Sequence, residues 1–340
     1  MPTLRDVAKQ ANVTVTTVSR VLNNRGAISE KTAKRVMEAM QEIGYHPNEA
    51  ARSLSGKSSN IIGVIVPNTS NPYFSSVVNQ IEQYAYARGF KTILCNSNHQ
   101  KSKEREYFSM LHANKVAGIV FASRTQEFSE FVTSSFPVVF LERFVSNKFS
   151  SVACDNYQGG ILAAEHLVAC GCKNLVHIGG VVNLAMPADD RARGFIDVCK
   201  ARGIRHYVVS TQEQHFRNMK YEEIIESILQ EDPSIDGIFA SSDVIAAAVL
   251  HVCYHHRISV PDQLQLVGFD DTPLADLLTP RLTTIQQPIE QLCRLSVDAI
   301  IDQRNGNAVP SRTVLNVQLI QRETTRLTSD ETSSSNNAAF

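Results

Sequence analysis

The chain has 340 residues, of which 43 % are hydrophobic and 20 % are charged, and its net charge at pH 7 is −1. This composition is typical of a folded globular protein, and no apolar run reaches the roughly 18 residues that a membrane span requires. The amino terminus lacks the apolar stretch of a secretory signal, and the seven cysteines are scattered without a CxxC pair. We therefore expect a reduced, cytoplasmic protein of two or three domains with no membrane partner.

Basic residues are concentrated at the amino terminus. Residues 1–58 hold nine lysines and arginines against five acidic residues, a net charge of +4, whereas the remainder of the chain carries −5. A basic segment joined to an acidic body suits contact between that segment and a polyanion such as nucleic acid.

Two short helices separated by a tight turn are predicted at the start of the chain. Thr3 and Asp6 have the spacing of a capping box for the first helix. Asn12 falls in the turn, where a residue tolerant of positive φ is required. Thr14 is placed to cap the second helix, and apolar residues recur on facing stripes of both. The pattern is that of a helix-turn-helix.

A third helix is predicted at about residues 30–43, and Gly44 ends it. In this small all-α unit the second helix, about residues 15–22, leaves one face unused by the core. Short hydroxyl and apolar side chains on such a face can contact phosphates and base edges, and an arginine one turn later can form a bidentate hydrogen bond with a guanine. An ordinary helical subdomain with a polar face is the alternative. The unused face consists of Val15, Thr16, Thr17 and Arg20.

A short polar segment, residues 48–59, connects this head to the rest of the chain. Leu54 is the one large apolar side chain in its otherwise small surroundings. We interpret the segment as a hinge helix that folds when two copies meet on DNA, with Leu54 wedged between base steps. A flexible linker is the alternative.

The motifs TxxDVA, TVSRVLN, GYxPN and ARSL together resemble the amino-terminal domain and hinge of the lactose/galactose repressor (LacI/GalR) family of bacterial transcriptional regulators. The resemblance implies a DNA-binding domain over residues 1–47 and a hinge over residues 48–59. It also implies contacts to bases, to phosphates and to the minor groove. The residues concerned are Val15, Thr16 and Arg20 for bases, Thr3, Ser19, Asn23 and Arg25 for phosphates, and Leu54, flanked by Ala51, Arg52 and Ser53, for the minor groove.

From residue 60 onward, short apolar strands alternate with amphipathic stretches. This alternation predicts parallel sheets covered by helices on both faces. About 270 residues of this pattern suit two doubly wound α/β lobes better than one. A helix is predicted at residues 127–135, among others. The predicted strands are residues 61–66, 91–96, 117–122, 137–142, 151–155, 175–180, 207–210, 237–241 and 264–270.

Ligands of such sheets bind beyond the carboxyl ends of the strands, where this chain places amides, carboxylates and hydroxyls. These groups suit a hydroxyl-rich ligand, and the rings of Tyr73 and Phe74 offer a flat surface for a sugar or a base. For each polar residue, a cap on the following helix is the alternative. The polar candidates include Asn68, Glu142, Asp155, Ser242, Asp243 and Asp270.

The body resembles the effector domain of the same family, which is similar to periplasmic sugar-binding proteins, in segments such as IGVIVPNTSNPYF and VGFDDTPLADLLTPRLTTIQQP. The resemblance implies that Arg191 donates to the effector and that Asp270 accepts from a diol. It implies an effector-binding and dimerisation domain over residues 60–327, and we expect the polar tail, residues 328–340, to be disordered. Lobe crossings are implied near residues 157, 288 and 314, and weaker effector candidates are Asn68, Phe74, Glu142, Asp155, Ser242 and Gln287.

Motifs for catalysis and cofactor binding are absent from the sequence. No GxSxG, GxxxxGK[ST] or GxGxxG follows a predicted strand, so we expect neither an enzyme nor a bound cofactor. His251 and His255 have metal-ligand spacing on a predicted helix, but the glutamate of HExxH and a third ligand are missing. We therefore expect no metal site.

The sequence as a whole predicts a homodimeric repressor that binds a pseudo-palindromic, double-stranded DNA operator in the bacterial nucleoid. One helix-turn-helix covers only a half-site, so two copies are required. A small sugar or sugar phosphate would release it from a carbohydrate operon. The alternatives are a catabolite-control regulator that uses a protein corepressor, and a regulator with a nucleobase effector. A sugar-binding protein without a DNA role is disfavoured by the head.

Overall fold

A computed structural model of the chain describes residues 2–22, 26, 28–45, 59–123, 136–181 and 186–326. The chain divides into two compact units, Met1–Ser59 and Asn60–Phe340. Within the described part, none of the helices combines the length and apolar character needed to cross a membrane.

The amino-terminal unit contains helices α1 (Leu4–Gln10), α2 (Val15–Leu22) and α3 (Glu30–Glu42). Helices this short are marginal alone in water, so their stability comes from packing against one another. Their apolar stripes meet in one small core, as the sequence predicts. Its buried side chains are Val7, Ala8, Ala11, Val18, Val36, Ala39 and Met40.

The predicted caps and turn of this unit are confirmed. The backbone N–H of Thr3 donates to Asp6 Oδ2 at 2.7 Å, and the N–H of Asp6 donates back to Thr3 Oγ1 at 3.4 Å. Asn12 adopts a φ of 49° in the turn. Thr14 Oγ1 accepts from the N–H of Thr17 at 3.1 Å and so caps α2.

Twelve strands in the described part of the second unit form two six-stranded sheets. Each predicted strand is present to within two residues at either end. The strands are β1 (Ile61–Val66), β2 (Lys91–Asn96), β3 (Gly118–Phe121), β4 (Val138–Leu141), β5 (Ser150–Cys154), β6 (Asn174–Val181), β7 (Arg205–Thr211), β8 (Gly237–Ala240), β9 (Gln265–Asp270), β10 (Thr283–Gln286), β11 (Arg312–Leu315) and β12 (Gln318–Ile320).

The first sheet has the order β11-β5-β4-β3-β1-β2, and the second has the order β12-β10-β9-β8-β6-β7. All pairs are parallel except β12 with β10, which are antiparallel at the edge of the second sheet. Two doubly wound lobes are therefore present, with one antiparallel edge strand that the sequence did not predict.

Helices follow most of the strands and cover the sheets. The helix predicted at residues 127–135 lies outside the described residues. The described helices of this unit are α4 (Pro72–Ala87), α5 (Lys101–Ala113), α6 (Asn156–Ala169), α7 (Asp190–Arg202), α8 (Glu213–Asn218), α9 (Glu222–Glu231), α10 (Asp243–His256), α11 (Pro273–Leu277) and α12 (Ile289–Arg304), with a 3₁₀ turn at Pro187–Asp189.

The chain passes between the two sheets three times. It leaves the first sheet after β5, returns after β10, and leaves again between β11 and β12. Each lobe is therefore built from discontinuous segments of sequence, and the carboxyl ends of strands from both sheets border the space between them.

Candidate functional site

Helix α2 presents an exposed face in the amino-terminal unit. Val15 is 41 % exposed, and Thr16 and Arg20 on the same helix are also exposed. Thr17 is half-buried, and its hydroxyl lies 2.9 Å from the hydroxyl of Thr14. The predicted base-reading face is thus free of the helical core at three of its four positions.

Two of the predicted phosphate contacts can be located. Thr3 is exposed, and its hydroxyl donates to Asp6 Oδ2 at 2.7 Å, so it serves the helix cap. Ser19 is half-buried. The other predicted DNA contacts, Asn23, Arg25, Ala51, Arg52, Ser53 and Leu54, lie outside the described residues.

A cavity of about 380 Å³ lies between the two sheets of the second unit. Its lining comes from the ends of β3, β4, β6, β7, β8 and β9 and from the first turns of the helices that follow strands. This is the position that open α/β sheets use for ligands. Seven predicted effector candidates line it: Tyr73, Phe74, Glu142, Arg191, Ser242, Asp270 and Gln287.

Arg191, in the first turn of α7, is buried and held in a fixed orientation. Its Nε donates to Asn156 Oδ1 at 2.7 Å and its Nη1 donates to the carbonyl oxygen of Ser241 at 2.6 Å. The guanidinium carbon lies 3.4 Å from the centroid of the Phe269 ring. An arginine fixed on three sides is preorganised to offer its remaining N–H groups to a ligand in the cavity.

Asp270, the last residue of β9, is also buried in the cavity wall. Its Oδ1 accepts from Gln287 Nε2 at 2.7 Å. Burial raises the pKa of the Asp270 carboxyl well above its usual value, and the positive charge of Arg191 opposes that rise. A buried carboxylate that is only partly satisfied favours a ligand that brings hydroxyl donors to it.

Two further buried polar atoms in the cavity wall have no hydrogen-bond partner among the described residues. They are the hydroxyl of Tyr73 and Oε1 of Gln287. Leaving such atoms unpaired is unfavourable, so a ligand that supplies a partner to each gains affinity by doing so.

Asn156 connects Glu142 to Arg191 by hydrogen bonds to both side chains. Glu142 Oε1 accepts from the N–H of Cys154 at 2.6 Å, and its Oε2 accepts from Asn156 Nδ2 at 3.0 Å. Burial raises the pKa of the Glu142 carboxyl, which hydrogen bonds from Asn156 and the charge of Arg191 offset in part. Asn156 therefore links a residue that follows β4 in the first sheet to a residue of α7 that packs on the second sheet.

Three predicted effector candidates do not line the cavity, and the side chain of each is hydrogen-bonded within the protein. Asn68 Oδ1 accepts from the N–H of Ser70 at 2.8 Å, and Asp155 Oδ1 caps α6 at the N–H of Gln158 at 2.9 Å. Asp243 is completely buried, and both of its carboxylate oxygens accept hydrogen bonds from other parts of the second lobe. They accept from the backbone and hydroxyl of Thr272 at 2.7 and 2.9 Å and from the hydroxyl of Thr284 at 2.7 Å.

The cavity wall also contains His177, which the sequence did not mark as a ligand contact, and Ser123, one of the polar residues that follow the predicted strands. His177 stacks on Phe239 with ring centroids 4.5 Å apart, and its Nδ1 pairs with the carbonyl oxygen of Phe239 at 2.9 Å. Burial lowers the pKa of His177 to about 4, so its ring is neutral near pH 7. Ser123 also lines the cavity, and its hydroxyl donates to the buried carboxylate of Glu104 at 2.5 Å.

The charges around the cavity favour an uncharged ligand. Carboxylates of Glu142, Asp189 and Asp270 line it, whereas Arg191 is the one lysine or arginine among the described lining residues. A phosphate group would meet three acidic side chains and one cation, whereas sugar hydroxyls can bond to a carboxyl group whether or not it carries a proton. His251 and His255 lie elsewhere, and the described part of the chain holds no cluster of three or more potential metal ligands.

Comparison with known proteins gives consistent matches along the chain. Residues 3–48 match the lacI family of bacterial regulatory proteins, and residues 164–325 match a periplasmic binding protein-like domain. The chain is 38 % identical over 327 residues to the ribose operon repressor of Halalkalibacterium halodurans, an alignment that covers 96 % of this chain and 98 % of that protein.

Two solved structures extend this comparison to ligands. One is a periplasmic binding protein/LacI transcriptional regulator from Alkaliphilus metalliredigens complexed with D-xylulofuranose, at 34 % identity and a TM-score of 0.71, covering 79 % of this chain and 100 % of that one. The other is the lac repressor dimer bound to operator and the anti-inducer ONPF, at 27 % identity and a TM-score of 0.81, covering 95 % and 99 % of the two chains.

Proposed function

The chain belongs to the lacI family of bacterial regulatory proteins, and we propose that it is the repressor of a carbohydrate operon, released from its operator by a small neutral sugar. The observation that carries the effector half of this proposal is the buried pair of Arg191 and Asp270 in the wall of the cavity. A fixed donor and a buried acceptor in the wall of the same cavity suit the hydroxyl groups of a polyol, which both donate and accept hydrogen bonds.

The exposed face of α2 supports the DNA half of the proposal. Val15, Thr16 and Arg20 offer an apolar group, a hydroxyl and a guanidinium along one face, which are the groups that read thymine methyls, phosphates and guanine in the major groove. We propose that Thr17, Ser19 and Thr3 lie near the sugar–phosphate backbone, and that a homodimer carries two such heads onto a pseudo-palindromic operator in the cytoplasm.

The charges of the cavity narrow the class of effector. The three acidic side chains of the lining disfavour sugar phosphates, whereas the several hydroxyls of a sugar can pair with Asp270, Tyr73 and Gln287 around the cavity. A neutral sugar, of the kind that the D-xylulofuranose complex contains, fits both constraints. We therefore propose a monosaccharide such as a pentose over a phosphorylated sugar, a nucleobase or a protein corepressor.

The test is a binding experiment on a selected operator. DNA duplexes that the purified chain binds are selected from a random library. The duplex that binds most tightly is labelled, and its dissociation is followed by fluorescence anisotropy. We expect a neutral monosaccharide such as D-ribose or D-xylulose to release it, whereas ribose 5-phosphate and adenine leave it bound. Release by the phosphate alone, or by no small molecule at all, would overturn the effector assignment.

A matched pair of variants separates the two halves of the proposal. Asp270→Asn is expected to bind the operator as tightly as the wild type but to resist release by the sugar. Arg20→Ala is expected to bind the sugar normally and to lose specific DNA binding by about 1–3 kcal/mol, the discrimination that a bidentate arginine–guanine contact supplies. If the sugar releases the Asp270→Asn variant from the operator as readily as it releases the wild type, Asp270 does not bind the effector.

A further inference from the structure

The backbone at the cavity's acidic residue is strained. Asp270 has a φ of 115° and Asp271 a φ of 54°, so two consecutive residues with side chains lie in a region that favours glycine. Such conformations persist only where the surrounding structure holds them in place, and they are concentrated at binding sites. This turn directs the side chain of Asp270 into the cavity wall.

Arg322, which follows β12, holds the second residue of this turn. Its Nη2 lies 2.7 Å from Asp271 Oδ1, and Gln286 Nε2 donates to the other carboxylate oxygen at 2.7 Å. The Arg322 side chain is 12 % exposed and that of Asp271 is 8 % exposed. An ion pair this sheltered from water is screened far less than a surface pair.

The same guanidinium also fixes the segment that follows the turn. Its Nε pairs with Asp276 Oδ1 of α11 at 2.9 Å, and its Nη1 donates to the carbonyl oxygen of Leu282 at 2.9 Å. All three guanidinium nitrogens thus hold different parts of the segment between β9 and β10. Arg322 is not among the residues that line the cavity, so it reaches the ligand only through the turn.

A neighbouring ion pair provides the contrast. Arg281 Nε lies 2.9 Å from Glu323 Oε1, beside Arg322 in sequence, but those side chains are 56 % and 51 % exposed. Exposed pairs of this kind contribute little to stability. The Arg281–Glu323 pair does not touch the turn at Asp270, and it serves as a matched control.

We propose that Arg322 is the positioning residue of the effector site: through Asp271 it holds the strained turn that presents Asp270 to the ligand. The inference rests on the proposed function for the identity of the ligand. Its structural part, that Arg322 holds the turn, concerns the ligand-free protein and is tested separately.

The first measurement is hydrogen exchange of the ligand-free, full-length chain over residues 267–275. The amide of Thr272 is protected by its bond to Asp243 Oδ2 at 2.7 Å. We expect Arg322→Gln to speed exchange in this segment, Arg322→Lys to restore part of the protection, and Arg281→Gln to leave it as in the wild type. Unchanged exchange in Arg322→Gln, or equal acceleration in Arg281→Gln, would overturn the proposal.

The second measurement is the dissociation constant of D-ribose by calorimetry in a double-mutant cycle. We expect Arg322→Gln to weaken binding about tenfold, a coupling typical of residues in one salt-bridge network. In the Asp270→Asn background, where the side chain keeps its size and tolerates positive φ, Arg322→Gln should cause little further loss. A full additional loss there would show that Arg322 acts by another route and would refute the proposal. If the wild type binds no sugar, the proposed function fails, and the exchange experiment still decides the role of Arg322.

Discussion

Gly160 of α6 provides the sharpest test of how the cavity is built. A Cβ placed on Gly160 would lie 2.0 Å from the backbone oxygen of Arg191, and a Cβ on Gly194 of α7 would lie 2.2 Å from the backbone oxygen of Tyr157. Helices α6 and α7 are therefore packed backbone to backbone through two glycines. The backbone that Gly160 contacts belongs to the arginine in the cavity wall.

Two opposing effects determine the result of Gly160→Ala. Alanine in a helix interior is favoured over glycine by about 0.5–1 kcal/mol through backbone entropy and propensity. The contact at 2.0 Å must open to an ordinary 3.4 Å, a separation of about 1.4 Å, and no side-chain rotation relieves it because the obstacle is a main-chain oxygen. Overpacking of this kind costs about 1–3 kcal/mol or more, so the clash wins and the variant is destabilised.

The assay combines thermal unfolding with sugar binding. A net loss of about 1–2 kcal/mol corresponds to a fall in Tm of about 2–8 °C for a domain of this size. Since the displaced atom is the Arg191 backbone, we also expect weaker D-ribose binding. Gly179→Ala is the steric control for unfolding, because its nearest neighbour would lie at 3.4 Å, in ordinary contact. A Tm for Gly160→Ala equal to or above that of the wild type would refute the packing argument.

Three further predictions concern pH, the head and the hinge. His177 has a pKa of about 4 in the fold against about 6.5 when unfolded, so the unfolded chain binds more protons between these values and stability rises as pH increases from 4 to 6.5. By urea unfolding, the free energy of unfolding should be larger at pH 7.5 than at pH 4.5, and His177→Gln should reduce this difference by up to about 3 kcal/mol. A difference that is the same in the variant and the wild type would contradict the prediction. Thr14→Ala removes the cap on α2 and should destabilise the head by about 1 kcal/mol, seen as earlier loss of helical circular dichroism, with Thr16→Ala as the exposed control. Leu54→Ala should weaken binding to the operator while salt-sensitive, nonspecific DNA binding stays the same. An equal loss of both affinities would show that Leu54 is not inserted in the minor groove.

Local chemistry made much of the fold predictable. Apolar runs of four to eight residues marked nine strands, and the hydroxyls of Thr3 and Thr14 marked two helix starts correctly. Strands β10, β11 and β12 were missed because each has three or four residues of mixed polarity, and their strand conformation depends on neighbours distant in sequence. Such strands carry no periodic signal of their own.

At the site, the sequence located the polar clusters but not the direction of each side chain. Consecutive polar residues lie at the carboxyl ends of β5, β8 and β9, and at β5 and β9 the two side chains have different partners. Asp155 caps its helix while Asn156 accepts a hydrogen bond from Arg191, and Asp270 lines the cavity while Asp271 forms an ion pair with Arg322. Which member of a pair faces a ligand depends on φ and on partners from other strands, so a one-dimensional pattern cannot assign it.

The arrangement of the cavity explains how a neutral sugar could influence a distant activity. Its wall draws Tyr73 and Glu142 from the first lobe and Arg191 and Asp270 from the second. A sugar that bonds to both sets binds tightly only at one separation of the lobes, so it favours that separation over others by its differential affinity. Coupling energies of about 1–3 kcal/mol, which correspond to roughly 5–150-fold changes in affinity, arise from one or two such hydrogen bonds. Asn156 hydrogen-bonds to Glu142 and to Arg191 and so links the two lobes when no ligand is bound. A sugar in the cavity would add further hydrogen bonds between the same two lobes.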